Sequence, residues 1–281
     1  MIREAVYFND YNNKEPNQDN NSRILYLNEA NNKWKTYTFN GKQVPRVSDL
    51  LKECIGKDYL LRWAANLGEN YKRESAHTLY IGTLVHEMIE YFLFFGGYKE
   101  IDFRSYNVKV KTEKAYSNFL SWYNDKIEKG FKISPISIEK QTTNPWFGGT
   151  IDCIMRLEYN GISRNYIVDF KTSKKISIEY ILQTYAYYWS ENWNYNFNGD
   201  ISVCKLDGLG IIRIDKEKDT YEDLFLDFNN PENYYFLSDI DYALGSIINW
   251  YYHMQIINND LSNMKRKGVR QEGFVNGKQF N

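Results

Sequence analysis

Apolar and polar positions change their spacing several times along the chain, and each change marks an element. Residues 1 to 22 are polar and Asn-rich and carry no periodic apolar face. From Arg23 to Phe39 apolar residues alternate on both sides of an Asn-rich stretch. This predicts two strands around a turn, with Gly41 ending the pattern. From Arg46 the spacing is helical, with Ser48 as expected N-cap and Leu50, Leu51, Cys54 and Ile55 on one face. A second helix is expected through Leu60, Leu61, Trp63 and Leu67, ended by Gly68. A third covers 78–95, where Leu84, Val85, Met88, Ile89 and Phe92 form the face, His86 lies beside it, and Gly96 and Gly97 stop it. A fourth covers 109–129, with Ala115, Phe119, Trp122 and Ile127 turned inward.

The texture then becomes strand-like. ISPISIEKQT, FGGTIDCIMRLEYNG and NYIVDFKTS read as three strands, the last two joined by a turn near Asn160 and Gly161. Helical spacing returns over 177–193, SVCKLDGLGIIRID reads as a strand or hairpin, and a last helix is expected over 237–257. The order is helices, strands, helix, strand, helix, so the expected fold class is mixed α/β with a helical region ahead of the sheet. Four stretches follow: an N-terminal extension with a β-hairpin (1–45), a helical region (46–135), an α/β core (136–258) and a polar, basic tail expected to fray (259–281).

Composition narrows the classes. With 281 residues, 43% hydrophobic and 25% charged, the chain can bury a sizeable core. A net charge of −1 removes any bulk argument for nucleic acid, so a DNA site must be a local basic patch. Cys54, Cys153 and Cys204 form no C-x-x-C pair, which leaves zinc ribbons and four-cysteine clusters unsupported and fits reduced thiols in the cytoplasm. No apolar run approaches the roughly 18 residues that span a bilayer, so no membrane contact is expected. The first residues also lack the basic-then-apolar order of a signal peptide, in keeping with a cytoplasmic protein.

The candidate chemistry lies in GGTIDCIMRLEYNGISRNYIVDFKT. Alternation puts Asp169, Lys171 and Ile167 on one side of their strand and Val168 and Phe170 on the other. If the strands pair through the Asn160–Gly161 turn, Asp152 stands close to Asp169. Two adjacent carboxylates stay ionised only with a cation between them, and a hard divalent ion with oxygen ligands suits that place. Lys171 adds a compact charge that can orient water or steady charge on a phosphate. Asp169 interrupts an apolar strand, where a carboxylate is costly unless paired or metal-bound, so an Asp169–Lys171 salt bridge is the main bland alternative. The glycines before Asp152 suggest close approach of a backbone or phosphate. Lys174 and Lys175 form a solvated turn or contact phosphate, while Arg62, Lys72 and Arg73 with Trp63 and Tyr71 are candidates to line a strand channel.

Taken in order, the helix GTLVHEMIE with His86, the strand ISIEKQ with Glu139, FGGTIDCI with Asp152, IVDFKTSKK with Asp169 and Lys171, and the helix YILQTYAYY with Gln183 and Tyr187 resemble the PD-(D/E)XK nuclease superfamily. The likeness is to its RecB-like and phage or mitochondrial single-strand exonuclease branch and covers residues 45 to 195. It implies a restriction-endonuclease-like core, a central mixed β-sheet flanked by helices. It implies that His86, Asp152, Asp169 and the backbone carbonyl of Phe170 hold one or two Mg²⁺ or Mn²⁺ ions and that Lys171 is catalytic. Glu139 would support that centre or serve a second ion, and Gln183 and Tyr187 would border the active site or the DNA. The N-terminal extension departs from the pattern, and the four cysteines of some relatives are missing, so no iron–sulfur cluster is expected. The expected activity is DNA hydrolysis, foremost by an exonuclease on single strands or ends in replication, recombination or repair. The rivals are an endonuclease of the same fold, a non-catalytic DNA-binding module, and a metal-free structural protein. Abundant Asn, Lys, Ile and Tyr suggest an AT-rich, phage-like source acting in the host cytoplasm.

Overall fold

The computed structural model describes residues 37–55, 65, 66, 68–197 and 204–266. Its first elements are two short strands, β1 (Tyr37–Phe39) and β2 (Lys42–Val44), paired antiparallel. Their turn is Asn40–Gly41, with φ of 48° and 74°. A two-residue turn with both central residues left-handed suits the twist of a hairpin, and Asn-Gly meets that demand at least strain. Gly41 thus makes a turn between β1 and β2 rather than ending the pattern. The earlier expected strand falls outside the described residues, as do Arg62, Trp63 and most of the second expected helix.

Helix α1 (Val47–Cys54) buries Val47, Leu50 and Leu51. Its N-cap is Arg46 rather than Ser48, and no side chain caps it; Arg46 instead pairs with Asp49 in the first turn at 2.8 Å. Helix α2 (Tyr71–Phe95) starts a full two turns earlier than expected and ends at Gly96, whose φ of 72° allows its N–H to bond back to Phe92. Helix α3 (Tyr106–Glu128) is capped by Ser105, which accepts the Val108 N–H, and buries Ala115, Phe119 and Trp122. Ile127, expected inward, is exposed; its neighbours Asp125 and Lys126 are the residues that meet the last strand, through Tyr221 and Asp223.

Three strands follow as an antiparallel meander: β3 (Lys132–Thr143), β4 (Gly148–Tyr159) and β5 (Ile162–Lys171). Asn160 and Gly161 make the β4–β5 turn, both at positive φ. Helix α4 (Ile178–Phe197) carries the chain over one face, and β6 (Gly208–Ile214) returns parallel to β5. β7 (Tyr221–Asp227) closes the five-stranded sheet, in order β3-β4-β5-β6-β7. All of β6 is buried, as expected of a strand covered on both faces. Helix α5 (Tyr234–Arg266) ends the described chain. It runs past 259, where a frayed tail was expected, since no Pro or Gly occurs between Gly245 and Gly268.

Two cores separate at the sheet. On one face Leu84, Val85, Met88 and Phe119 of α2 and α3 pack on Cys153, Val168, Phe170 and Ile212. On the other, Leu50 of α1, Ile181 and Ala186 of α4 and Leu244 of α5 pack on Ile151, Ile154, Ile167 and Ile211. The described helices of 46–135 are thus shared between the two outer layers of one α/β/α sandwich. No helix among the described residues is long and apolar enough to cross a membrane.

Candidate metal and catalytic site

The β4–β5 register sets the site. Paired positions run from Tyr159↔Ile162 to Cys153↔Val168 and stop there. The next two residues in register are Asp152 and Asp169, so the two acids stand where the strands part. With the ladder ended, the Phe170 N–H needs another acceptor, and Asp152 Oδ2 takes it at 2.9 Å. Phe170 thus meets Asp152 through its N–H, and its ring stands edge-on to His86, 6.3 Å between centroids.

His86 projects from α2, one residue past the buried Val85, and places Nδ1 3.5 Å from Asp152 Oδ2. Glu139 reaches the same point from β3. One ligand atom from each of His86, Glu139 and Asp152 lies within 4.8 Å of the others. These three line a narrow cleft together with Glu90 and the apolar Ile89, Leu93, Ile138 and Phe170. Glu139 has a φ of 50° inside a strand, a left-handed conformation that costs a non-glycine residue on the order of 1 kcal/mol. Such strain persists where surrounding structure fixes it, and here it turns the Glu139 carboxylate toward His86 and Asp152.

Asp169 stands beside this group rather than in it. It is 2% exposed, and Lys171 Nζ lies 2.8 Å from its Oδ1 and 2.6 Å from its Oδ2. Burial raises the Asp169 carboxyl above the usual carboxylate range, with Lys171 opposing and Asp152 adding to the rise. Burial alone would depress the Lys171 ammonium, but Asp169 and Asp152 outweigh it and hold it above its ordinary value. The Tyr180 ring on α4 faces the ammonium at 5.2 Å.

Gln183 and Tyr187 share one face of α4, and the Gln183 amide donates to the Tyr187 hydroxyl at 2.8 Å. Tyr187 is 5% exposed and its hydroxyl is pushed up by burial, so it is a wall of the site and not a surface for a strand. It also explains a glycine. A Cβ on Gly149 would lie 2.3 Å from the Tyr187 ring, and one on Gly148 would lie 2.4 Å from Tyr37. The glycines before Asp152 therefore admit two tyrosine side chains, where a backbone or phosphate was expected to come close. Tyr37 also hydrogen-bonds Thr150 at 2.8 Å, which ties the N-terminal hairpin to the strand that carries Asp152. Lys174 and Lys175 are exposed just beyond Lys171.

The prominence of Glu139 was underrated from sequence, where its strand alternation gave no hint of a left-handed residue. A wider cavity lies elsewhere, between α5 and the Pro145–Trp146 turn; Trp146, Trp189 and Tyr252 line it, and it gathers none of these groups.

The donor set fits a divalent ion. An ion about 2.1 Å from each donor holds opposite donors about 4.2 Å apart, so the 4.8 Å spread closes with a shift of a few tenths of an ångström. Two carboxylates and one imidazole are mixed hard and borderline ligands, which suits Mn²⁺ better than Mg²⁺. Neither the known protein families nor the curated proteins contain a match to this chain.

Proposed function

We propose that the protein is a Mn²⁺- or Mg²⁺-dependent deoxyribonuclease, acting foremost as an exonuclease on single strands or DNA ends. The observation that carries this reading is the meeting of His86, Glu139 and Asp152 within 4.8 Å, beside the buried Asp169–Lys171 pair, where β4 and β5 part. The order of elements adds support: a helix with His86, an antiparallel three-stranded meander, a crossover helix and a parallel fourth strand suit the PD-(D/E)XK likeness drawn from the sequence.

In this reading His86, Glu139 and Asp152 hold the ion. Its chemistry when bound is polarisation of a phosphodiester and acidification of a water. The Phe170 N–H fixes the Asp152 carboxylate in place, so the ligand needs little reorganisation. Asp169 holds the Lys171 ammonium charged and aimed at the parting of the strands. From there Lys171 can donate to a non-bridging phosphate oxygen and offset the charge that builds on it. The apolar walls of the cleft limit water around these groups.

The test is digestion of end-labelled linear and covalently closed circular DNA with Mn²⁺, Mg²⁺ or chelator. Linear DNA should shorten from its ends, faster with Mn²⁺, while circles stay intact. Nicked circles would make the protein an endonuclease of the same chemistry. Intact DNA in every condition would end the nuclease reading.

A second reading has its own observation. Lys171 straddles both oxygens of Asp169 and could serve only as a structural counter-charge. It predicts that chelator leaves thermal stability unchanged and that no DNA is cut.

A further inference from the structure

Beyond Lys171 the chain passes under the β6–β7 turn, and this turn is unusually well fixed. Asn118, on α3 and 4% exposed, donates to the carbonyls of both Asp215 and Lys218 at 2.7 Å. Asp215 Oδ1 accepts the N–H groups of Glu217 and Lys218. Each carboxylate of the turn also has a cation of its own. Arg213 pairs with Asp215 at 3.2 Å, Lys111 with Glu217 at 2.7 Å, and Lys114 with Asp219.

Lys216, at the centre of the turn, is left over. Its side chain is half-buried, and no carboxylate among the described residues lies within ion-pair distance of it. Burial pushes its ammonium below the ordinary value; Glu217 and Asp215 oppose that push, and Lys111 and Lys174 add to it. Lys174 comes from the segment after β5, and Arg213 fixes that segment by donating to the Ser173 carbonyl at 3.4 Å. A rigid frame thus holds Lys216 and Lys174 near each other from two elements, with Lys111 behind. Clustered cations in a fixed frame, with the local acids already paired, form a place for an anion.

We propose that Lys216 and Lys174, backed by Lys111, form a backbone-phosphate subsite for a DNA strand whose scissile phosphate lies at Asp152 and Lys171. This rests on the nuclease reading and extends it, by naming the direction in which the strand leaves the centre. Lys174 lies three positions after Lys171, a backbone reach of at most about 10 Å. At about 3.4 Å of axis per phosphate along one strand, that distance covers about three nucleotides.

The experiment is fluorescence anisotropy of a labelled thymidine oligonucleotide against salt, with the full chain in chelator so that nothing is cut. For single strands each lost phosphate contact lowers the log–log salt slope by about 0.7. The double variant Lys174→Gln/Lys216→Gln should lower it by about 1.4, relative to wild type. Lys216→Arg keeps the charge and should keep the slope, which separates lost contact from misfolding. Lys132→Gln, on an exposed lysine paired with Glu158 in β4, should leave the slope as it is. If wild type binds and cuts DNA but the double variant keeps the full slope, the subsite is wrong and the nuclease reading survives. If wild type neither binds nor cuts DNA, both are wrong.

Discussion

Strand β3 supplies neighbouring residues to two buried charge clusters, and the two differ in a way that bears on function. Lys140 turns toward α4 and meets Glu191, 1% exposed, at 2.7 Å. Beside it Thr142 and Ser190 bond each other at 2.8 Å. That cluster is balanced: one carboxylate, one ammonium and a closed hydroxyl pair. Glu139 turns the other way, toward His86 and Asp152. There two carboxylates, Asp152 and Asp169, act on one ammonium among the described residues, that of Lys171. A balanced pair in a low-dielectric interior supports itself, whereas acids in excess of their cations call for another positive charge. The same lysine–carboxylate chemistry is thus structural at Glu191 and open to a ligand at Asp152.

Activity should divide the two regions most sharply. Asp152→Asn keeps the shape and removes a ligand charge, and should lower DNA cleavage by at least about a thousandfold, as loss of a charge-stabilising group at a reaction centre does. Glu191→Gln should leave cleavage near wild type. Equal losses in both, measured on end-labelled DNA, would erase the distinction.

Stability should show the next largest contrast. Removing the cation from a buried pair costs about 3–5 kcal/mol. Lys140→Ala and Lys171→Ala should both show such losses by urea denaturation in chelator. Measured against wild type at the same Mn²⁺ concentration, the loss should shrink for Lys171→Ala and stay unchanged for Lys140→Ala. A loss at Lys171 that ignores Mn²⁺ would make Asp169–Lys171 another closed pair and favour the structural reading.

Binding of the ion gives the third. Mn²⁺ at a hundred times its dissociation constant should stabilise wild type by about 2.7 kcal/mol, or about 5–10 °C in Tm. Differential scanning calorimetry should find that rise absent in Asp152→Asn and kept in Glu191→Gln. A rise retained in Asp152→Asn would place the ion elsewhere.

These contrasts also show what the sequence could and could not disclose. The Asp152–Asp169 opposition was legible, because alternation and the Asn160–Gly161 turn together dictate the register. His86 was legible too, since helical spacing fixes its place beside Val85 and Met88. The close grouping of Glu139 with them was not, because it depends on one backbone torsion that no side-chain pattern encodes. Gly148 and Gly149 pointed to close approach, but only packing across the sheet reveals that tyrosines from β1 and α4 are what approaches. The Lys216 turn was equally hidden, for its meaning rests on which neighbouring acids are already paired.

The smallest effect isolates the torsion that sends β3 to both regions. Glycine inside a strand is ordinarily worse than alanine by about 0.5–1 kcal/mol. At Glu139 the order should reverse, since glycine accepts a φ of 50° freely and alanine does not. Glu139→Gly should therefore be more stable than Glu139→Ala by about 1 kcal/mol, although both lose the same carboxylate. Comparing the two variants cancels whatever the side chain contributes and leaves the backbone. Both should bind Mn²⁺ more weakly than wild type by calorimetric titration, and by the same factor. Alanine more stable than glycine would mean that β3 carries no strain at Glu139. Unequal loss of Mn²⁺ binding would mean that the backbone itself, and not only the carboxylate, shapes the ion's place.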